Sequence, residues 1–166
     1  MKLYFVRHGK AEPADGSVDD HDRQLTPDGA ARLETQAQVM ARLGIRPDHI
    51  YSSPRVRARQ TAEIIGQALK KEVEIREEVN FDFDVRAVAA LIKGLPDDAK
   101  VMFVGHNPSM EDVVRSLTGG GVIMKVGSVA RVDITATRPH LIGQLVWLLA
   151  PKVFDVLSGG SDSGEG

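Results

Sequence analysis

The chain has 166 residues, of which 42% are hydrophobic and 27% are charged, and its formal net charge at pH 7 is −2. This length and composition predict a single domain around one hydrophobic core, and the small acidic excess disfavours nucleic acid or an anionic membrane as a partner. The absence of cysteine excludes disulfides, thiolate nucleophiles and thiolate metal ligands. The pattern contains no secretory leader and no membrane-spanning run, so we expect a cytoplasmic protein.

Short apolar runs alternate with helical patterns from the start of the chain. The first run, residues 3–6, predicts a buried strand. Residues 10–24 are polar and predict a long loop, in which we expect three carboxylates to be solvated: Asp19, Asp20 and Asp22. Thr26 followed by Pro27 predicts a capped helix over residues 27–43.

The same alternation continues to the end of the predicted domain. A second strand at 49–52 is followed by Ser53-Pro54, which predicts the cap and start of another helix. The later elements are a strand at 72–76, a helix at 85–95, a strand at 101–104, a helix after Pro108, and a hairpin or edge pair at 129–137 and 143–149. This order predicts an α/β fold with three α/β/α layers and a mostly parallel central sheet.

Polar residues at the end of the chain contrast with this pattern. Residues 158–166 are rich in glycine, serine and acidic side chains, a composition that buries little apolar surface. We therefore expect one domain over residues 1–157 and a flexible or disordered tail over 158–166.

Two histidines follow apolar strands in matched contexts. Arg7-His8-Gly9 ends the first strand, and Gly105-His106-Asn107-Pro108 ends the strand at 101–104. Open α/β sheets place their sites at the carboxyl ends of strands. One histidine alone is more often structural, but two in matched positions indicate a shared site if their strands are neighbours.

Three arginines, Arg55, Arg57 and Arg59, follow the strand at 49–52. Residues two apart do not share a helix face, so the three side chains cannot all reach one site. We assign Arg57 to the site and expect Arg55 and Arg59 to lie on a solvated helix face. A guanidinium near a helix N-terminus is suited to binding a phosphoryl group.

Together these motifs resemble the histidine phosphatase superfamily, which includes the phosphoglycerate mutase-like enzymes. The resemblance covers most of residues 2–117 and rests on Arg7-His8-Gly9, Leu25-Thr26-Pro27-Asp28-Gly29, Ser53-Pro54 with Arg57-Ala58 and Gln60-Thr61-Ala62, and Gly105-His106-Asn107-Pro108. The short length, the loop ending in Arg23-Gln24-Leu25-Thr26 and residues 146–151 are most similar to bacterial SixA-type phosphohistidine phosphatases.

The resemblance implies a two-step phosphoryl transfer through His8. His8 would be the nucleophile and form a phosphohistidine that water hydrolyses, while a backbone carbonyl holds its other ring nitrogen. Arg7 and Arg57 would bind the phosphate oxygens, and His106, protonated or donating a hydrogen bond, would complete the catalytic clamp. Because such transfer depends chiefly on positioning and electrostatics, we expect no metal and no cofactor.

The leaving group is less well defined by the sequence. Glu78 best matches the acid that protonates the leaving group in many superfamily phosphatases, although the glycine and second glutamate expected downstream are replaced by Asp82 and by Arg86 and its neighbours. The alternative is that Glu78 is a surface charge. The roles of Arg23 and Asn107, which lie beside motifs, stay open.

The chain has little sequence with which to build a lid over the site. An open cleft favours phosphohistidine on a protein as the substrate, and small phosphorylated metabolites are the alternative. A third hypothesis is a non-catalytic phosphate-binding domain. The presence of His8, Arg7, Arg57 and His106 makes it the weakest of the three.

Overall fold

The structure, a computed structural model, describes residues 1–159. The predicted tail falls almost entirely on residues 160–166, which lie outside the described residues. The described chain forms six strands, β1 Lys2–Arg7, β2 His49–Ser52, β3 Val73–Ile75, β4 Lys100–Gly105, β5 Val129–Ala136 and β6 Ile142–Leu149. It also forms five α-helices, α1 Pro27–Arg42, α2 Val56–Leu69, α3 Val85–Ile92, α4 Ser109–Thr118 and α5 Pro151–Leu157, and two 3-10 helices, Asp20–Asp22 and Glu77–Val79.

All six strands belong to one sheet in the order β3-β2-β4-β1-β5-β6. The first four strands of the chain pair in parallel, and β5 and β6 add an antiparallel hairpin beyond β1. The predicted three-layer α/β fold with a mostly parallel sheet is confirmed. Each parallel connection passes through a helix because parallel strands require a crossover.

Alternating side chains of the strands bury both faces of the sheet. Leu3 and Phe5 of β1 belong to the core cluster that α3 and α4 cover, whereas Tyr4 and Val6 belong to the cluster that α1, α2 and α5 cover. The period of two along a strand explains this division. The central strands β1 and β4 are therefore continuous apolar runs, because neither face of these two strands meets water.

Several helix boundaries differ from the sequence-based expectation. Helix α1 ends at Arg42, one residue early, and the Thr26 hydroxyl accepts a hydrogen bond of 2.9 Å from the Gly29 amide, as an N-cap does. Helix α3 ends at Ile92 rather than at residue 95, because the next residues turn outward toward Gly94, whose φ is +83°.

Two further differences concern α2 and α5. Helix α2 begins at Val56 rather than at Pro54, so that Arg55 precedes the helix. Helix α5 was not predicted, and its Phe154 is fully buried in the core. Pro151 at its first position was the available signal. No helix among residues 1–159 is long and apolar enough to cross a membrane.

Candidate active site

Three neighbouring parallel strands end at the same edge of the sheet. The register of β1 and β4 places Arg7 opposite Gly105, and that of β2 and β4 places Ser52 opposite Val104. The residues that follow each strand therefore meet at this edge. The ring centroids of His8 and His106 lie 5.2 Å apart, as expected for histidines from neighbouring strands.

His8 has a defined arrangement around both ring nitrogens. Its Nδ1 lies 2.7 Å from the Gly9 carbonyl oxygen, a contact that requires the proton on Nδ1, and its Nε2 accepts a 3.3 Å hydrogen bond from Nε of Arg57. Burial lowers the pKa of His8 to about 4; the Gly9 hydrogen bond opposes this effect, and the charges of Arg57 and Arg7 add to it. The imidazole is therefore neutral at neutral pH, with a lone pair on Nε2.

His106 is more deeply buried, with an exposed fraction of 1%. Burial first, and then the neighbouring charges of His8, Arg57 and Arg55, lower its pKa to about 3. The ring is therefore neutral at neutral pH, and it can offer an anion a hydrogen bond but no positive charge.

The contact with Ser53 indicates which nitrogen of His106 can donate. Nε2 of His106 lies 2.7 Å from Oγ of Ser53, and that hydroxyl oxygen accepts a hydrogen bond from the Arg55 amide. When the Ser53 hydroxyl donates to Nε2, the ring proton resides on Nδ1. Within residues 1–159, Nδ1 is buried and has no hydrogen-bond partner, so it is the ring atom with unused donor capacity.

Arg57 brings a buried cation to the same cleft, and Arg7 brings a partly buried one. Arg57, in the first turn of α2, is 2% exposed, and its Nη1 donates to the Asp20 carbonyl oxygen over 2.7 Å. Arg7, the last residue of β1, donates through Nη1 to the Met124 carbonyl oxygen over 2.8 Å. Burial lowers the pKa of both guanidinium groups, but an arginine stays charged.

Asp20 is not the solvated loop residue that we expected from the sequence. Its Oδ2 accepts hydrogen bonds from Nη1 of Arg55 at 2.7 Å and from Nη2 of Arg57 at 3.3 Å, and its Oδ1 accepts one from Nε of Arg23 at 3.0 Å. Burial opposes ionisation, but Arg57 and Arg23 hold the pKa of Asp20 below its usual value. The expectation was wrong because the 3-10 helix Asp20–Asp22 folds over the cleft.

The expectation for Arg55 was also wrong. Because α2 begins two residues later than predicted, the Arg55 side chain does not lie on the outer helix face but turns toward the cleft, where its Nε donates to Oδ1 of Asn80 over 2.8 Å. Its guanidinium carbon lies 3.7 Å from the centre of the Phe81 ring. Arg59 is exposed as expected and pairs with Glu63 at 3.6 Å.

These residues surround an open cleft of about 420 Å³, lined by Arg7, His8, Lys10, Ala11, Asp20, Arg23, Arg57, Phe81, His106, Asn107 and Val126. Cations outnumber carboxylates in this lining, which favours an anionic ligand. Arg23 and Asn107, whose roles the sequence left open, both line the cleft. The amide of Asn107 donates to Oε1 of Glu111 over 2.8 Å and is thereby fixed in place.

Glu78 does not join this group. It lies in the 3-10 helix Glu77–Val79, is exposed, and is not among the side chains that line the cleft. Its role as a proton donor stays a prediction. Phe81, which sequence reasoning missed, lines the cleft instead; the only signal for it was its position shortly after β3.

No group of three metal-ligating side chains, counting histidines and carboxylates, gathers in the described part of the chain. The cations described above are arginines and a lysine, and they can surround a phosphoryl group without the hard oxygen ligands that Mg²⁺ or Ca²⁺ requires. The residues of the cleft therefore fit an anion better than a resident divalent cation.

Comparison with known proteins identifies the family. Residues 3–83 match the model of the histidine phosphatase superfamily (branch 1). A phosphohistidine phosphatase SixA homolog of Haemophilus influenzae is 31% identical over 158 residues, which cover 89% of this chain and 88% of that protein. An uncharacterized protein of Picosynechococcus sp. is 32% identical over 161 residues, which cover 92% and 98% of the two chains.

The fold agrees with that relationship. The structure of the protein histidine phosphatase SixA complexed with tungstate superposes with a TM-score of 0.80 and 25% identity, covering 92% of this chain and 98% of that one. The chain therefore belongs to the histidine phosphatase superfamily. Within it, this protein is a phosphatase of the SixA type.

Proposed function

We propose that this phosphatase transfers the phosphoryl group of its substrate to Nε2 of His8, and that the substrate is phosphohistidine on a protein. One observation carries the proposal. The Gly9 carbonyl holds the proton on Nδ1 of His8, so that the lone pair is on Nε2, where it accepts a hydrogen bond from Nε of Arg57 in the cleft. A neutral imidazole in a cationic cleft supplies a nucleophile beside the groups that bind its target.

The first step forms one bond and breaks another. Nε2 of His8 attacks phosphorus, and the bond from phosphorus to the leaving nitrogen breaks with its electron pair on that nitrogen. Arg7 and Arg57 bind the non-bridging oxygens, and Nδ1–H of His106 donates to the same group. Nε of Arg57, which donates to Nε2 of His8 in the free protein, turns to a non-bridging oxygen as phosphorus approaches. The fold holds the donors next to the site, so their reorganisation is small.

The second step regenerates the enzyme. Water attacks the phosphoryl group on His8 and the phosphorus–nitrogen bond breaks with its electron pair on Nε2. Both protons of the water leave with the product as dihydrogen phosphate. The same oxygen-binding groups serve both steps because the charge on the phosphoryl group is similar in each transition state.

A phosphohistidine substrate is supported by the leaving group that it provides. A phosphorylated imidazole that carries a proton on its other nitrogen leaves as neutral imidazole, so it needs no acid from the enzyme. An alkoxide leaving group needs such an acid, and Glu78 does not line the cleft. The SixA homolog of Haemophilus influenzae, which is named a phosphohistidine phosphatase, adds support.

The shape of the site supports a protein substrate. Residues 10–24 contribute only one turn of 3-10 helix, and residues 71–95 contribute β3, a second 3-10 turn and the eight-residue helix α3. The cleft stays open, and a side chain on a protein surface can reach it. A small phosphate ester is the second candidate, because the cleft volume of about 420 Å³ is within the range of small-molecule sites.

The experiment uses a carrier protein that bears radioactive phosphohistidine. The wild type should release inorganic phosphate and carry an acid-labile, base-stable label in a rapid quench. The variant His8→Asn should do neither, whereas His140→Asn, which changes an exposed histidine outside the cleft, should behave as the wild type.

Two results would contradict the proposal. Wild-type turnover by His8→Asn would refute the nucleophile. A preference of several hundredfold for a phosphorylated metabolite over the carrier protein, measured as kcat/KM, would replace the protein substrate with the small ester.

A further inference from the structure

An exposed aromatic ring lies in this otherwise charged cleft. Phe81 is 46% exposed and lines the cleft together with His8 and His106. Its ring centroid lies 4.9 Å from that of His106, with an angle of 74° between the planes. By contrast, Phe83, two residues later, is 3% exposed and packs in the core. The apolar ring of Phe81 is therefore exposed to solvent next to the groups proposed to bind phosphate.

Polar contacts hold the ring of Phe81 in this position. The guanidinium of Arg55 lies over the ring at 3.7 Å, and Arg55 is fixed by Oδ2 of Asp20 at 2.7 Å and by Oδ1 of Asn80 at 2.8 Å. The same Oδ1 of Asn80 accepts a 3.0 Å hydrogen bond from the Phe81 amide. Oδ1 of Asn80 therefore holds both the Phe81 backbone and the Arg55 guanidinium, so the ring is oriented before any ligand binds.

An aromatic ring held in one orientation favours the binding of a ligand that carries another planar ring. Aromatic rings attract one another in offset or edge-on arrangements beyond the effect of buried area, and each such pair contributes a few-fold to binding. The phosphoryl group must lie against Nε2 of His8, and the ring of His106, whose centroid is 5.2 Å from that of His8, lies beside this position. Because Phe81 contacts His106 directly, a group attached to that phosphoryl lies within reach of the Phe81 ring.

We propose that Phe81, oriented by Arg55, contacts the ring of the leaving group and makes the enzyme selective for phosphoryl groups carried on a planar ring. This inference rests on the proposed function, in which the leaving group is an imidazole. Phe81 then distinguishes this substrate from ring-free phosphoramidates and alkyl phosphates. Those compounds bind the same phosphate-binding groups but carry no ring for Phe81 to contact.

The test compares two compounds with the same kind of scissile bond. Phosphoimidazole and phosphoramidate both contain a phosphorus–nitrogen bond, but only the first carries a ring. For each compound, the kcat/KM of a variant is divided by that of the wild type, so that intrinsic differences in reactivity between the compounds cancel. The variants are Phe81→Leu, which keeps an apolar side chain without a ring, and Phe81→Tyr, which keeps the ring.

For Phe81→Leu we expect kcat/KM to fall about threefold to tenfold with phosphoimidazole and to stay within about twofold of the wild type with phosphoramidate. Phe81→Tyr should keep wild-type values with both. Equal losses on both compounds in Phe81→Leu would show that Phe81 only shapes the phosphate site, and no loss on either would show that it does not contact the leaving group. Either result overturns the inference while the proposed function stands.

A different result separates the two proposals. If the wild type hydrolyses neither compound and no phosphohistidine carrier, the proposed function fails and the inference fails with it. Thermal unfolding of both variants provides the control for folding. Because Phe81 is exposed and outside both core clusters, we expect both variants to unfold near the wild-type temperature.

Discussion

Acidification from pH 6.5 to 4 should charge His8 in the unfolded chain while it stays neutral in the folded protein. Burial lowers the pKa of this imidazole to about 4 from an ordinary value of 6.5. In that interval the unfolded state binds a proton that the folded state does not, so the free energy of unfolding falls as the pH falls. The slope is at most about 1.4 kcal/mol for each pH unit, so the free energy of unfolding falls by about 3 kcal/mol over this interval.

The assay is urea unfolding of the wild type and of His8→Gln at a series of pH values from 7 to about 4. Groups distant from His8 titrate alike in both proteins, so the difference between their free energies of unfolding reports His8 together with its effect on the pKa of His106. That difference should be constant above pH 6.5 and should then shift by about 3 kcal/mol in favour of His8→Gln as the pH reaches 4.

Parallel stability curves for the two proteins would refute the reasoning, since they would mean that His8 titrates alike in the folded and unfolded states. An independent check is the nitrogen chemical shift of the His8 ring, which should report protonation near pH 4. Protonation near the ordinary value of 6.5 would show that the site is solvated, and the neutral nucleophile would then need another explanation.

Three other changes test the cleft and the core. Asp20→Asn removes a carboxylate from the arginine cluster and should tighten the binding of inorganic phosphate about threefold to tenfold by calorimetry; unchanged affinity would show that the carboxylate does not compete with phosphate. Gly29→Ala would place a Cβ 2.4 Å from the carbonyl oxygen of Lys10 and should cost about 1 to 3 kcal/mol in chemical unfolding, whereas Gly120→Ala, whose Cβ would lie at an ordinary contact distance of 3.8 Å from Oγ1 of Thr118, should cost less. Phe103→Ala removes a fully buried ring and should cost about 3 to 5 kcal/mol; a loss below about 1 kcal/mol would mean that the core collapses around the gap.

Much of the fold follows from local patterns in the sequence. The apolar runs of β1, β2 and β4 and the Thr26 cap of α1 can be recognised from residue types, and the alternation of strand and helix permits few topologies. Because strand ends carry sites in such sheets, the residue pattern also identifies His8, His106 and Arg57 as candidates.

Other parts of the site depend on geometry that local patterns do not contain. Successive residues of a helix differ by about 100° in direction. Arg55 precedes α2 with an extended backbone, so the helix does not set its direction, and its side chain contacts Asp20 and Phe81, which line the cleft. Asp20 and Phe81 lie in segments without a regular period, and only the folding of those segments over the sheet edge brings them to the arginines.

The sequence by itself determined which residue types stand at the ends of which strands, and with them the family and the chemistry of a phosphate site. Only the tertiary structure decided that both imidazoles are neutral and that a carboxylate and an aromatic ring share the cleft. The physical reason is that a pKa and a side-chain contact depend on burial and on charges brought together from distant segments. Neighbours along the chain do not determine either quantity.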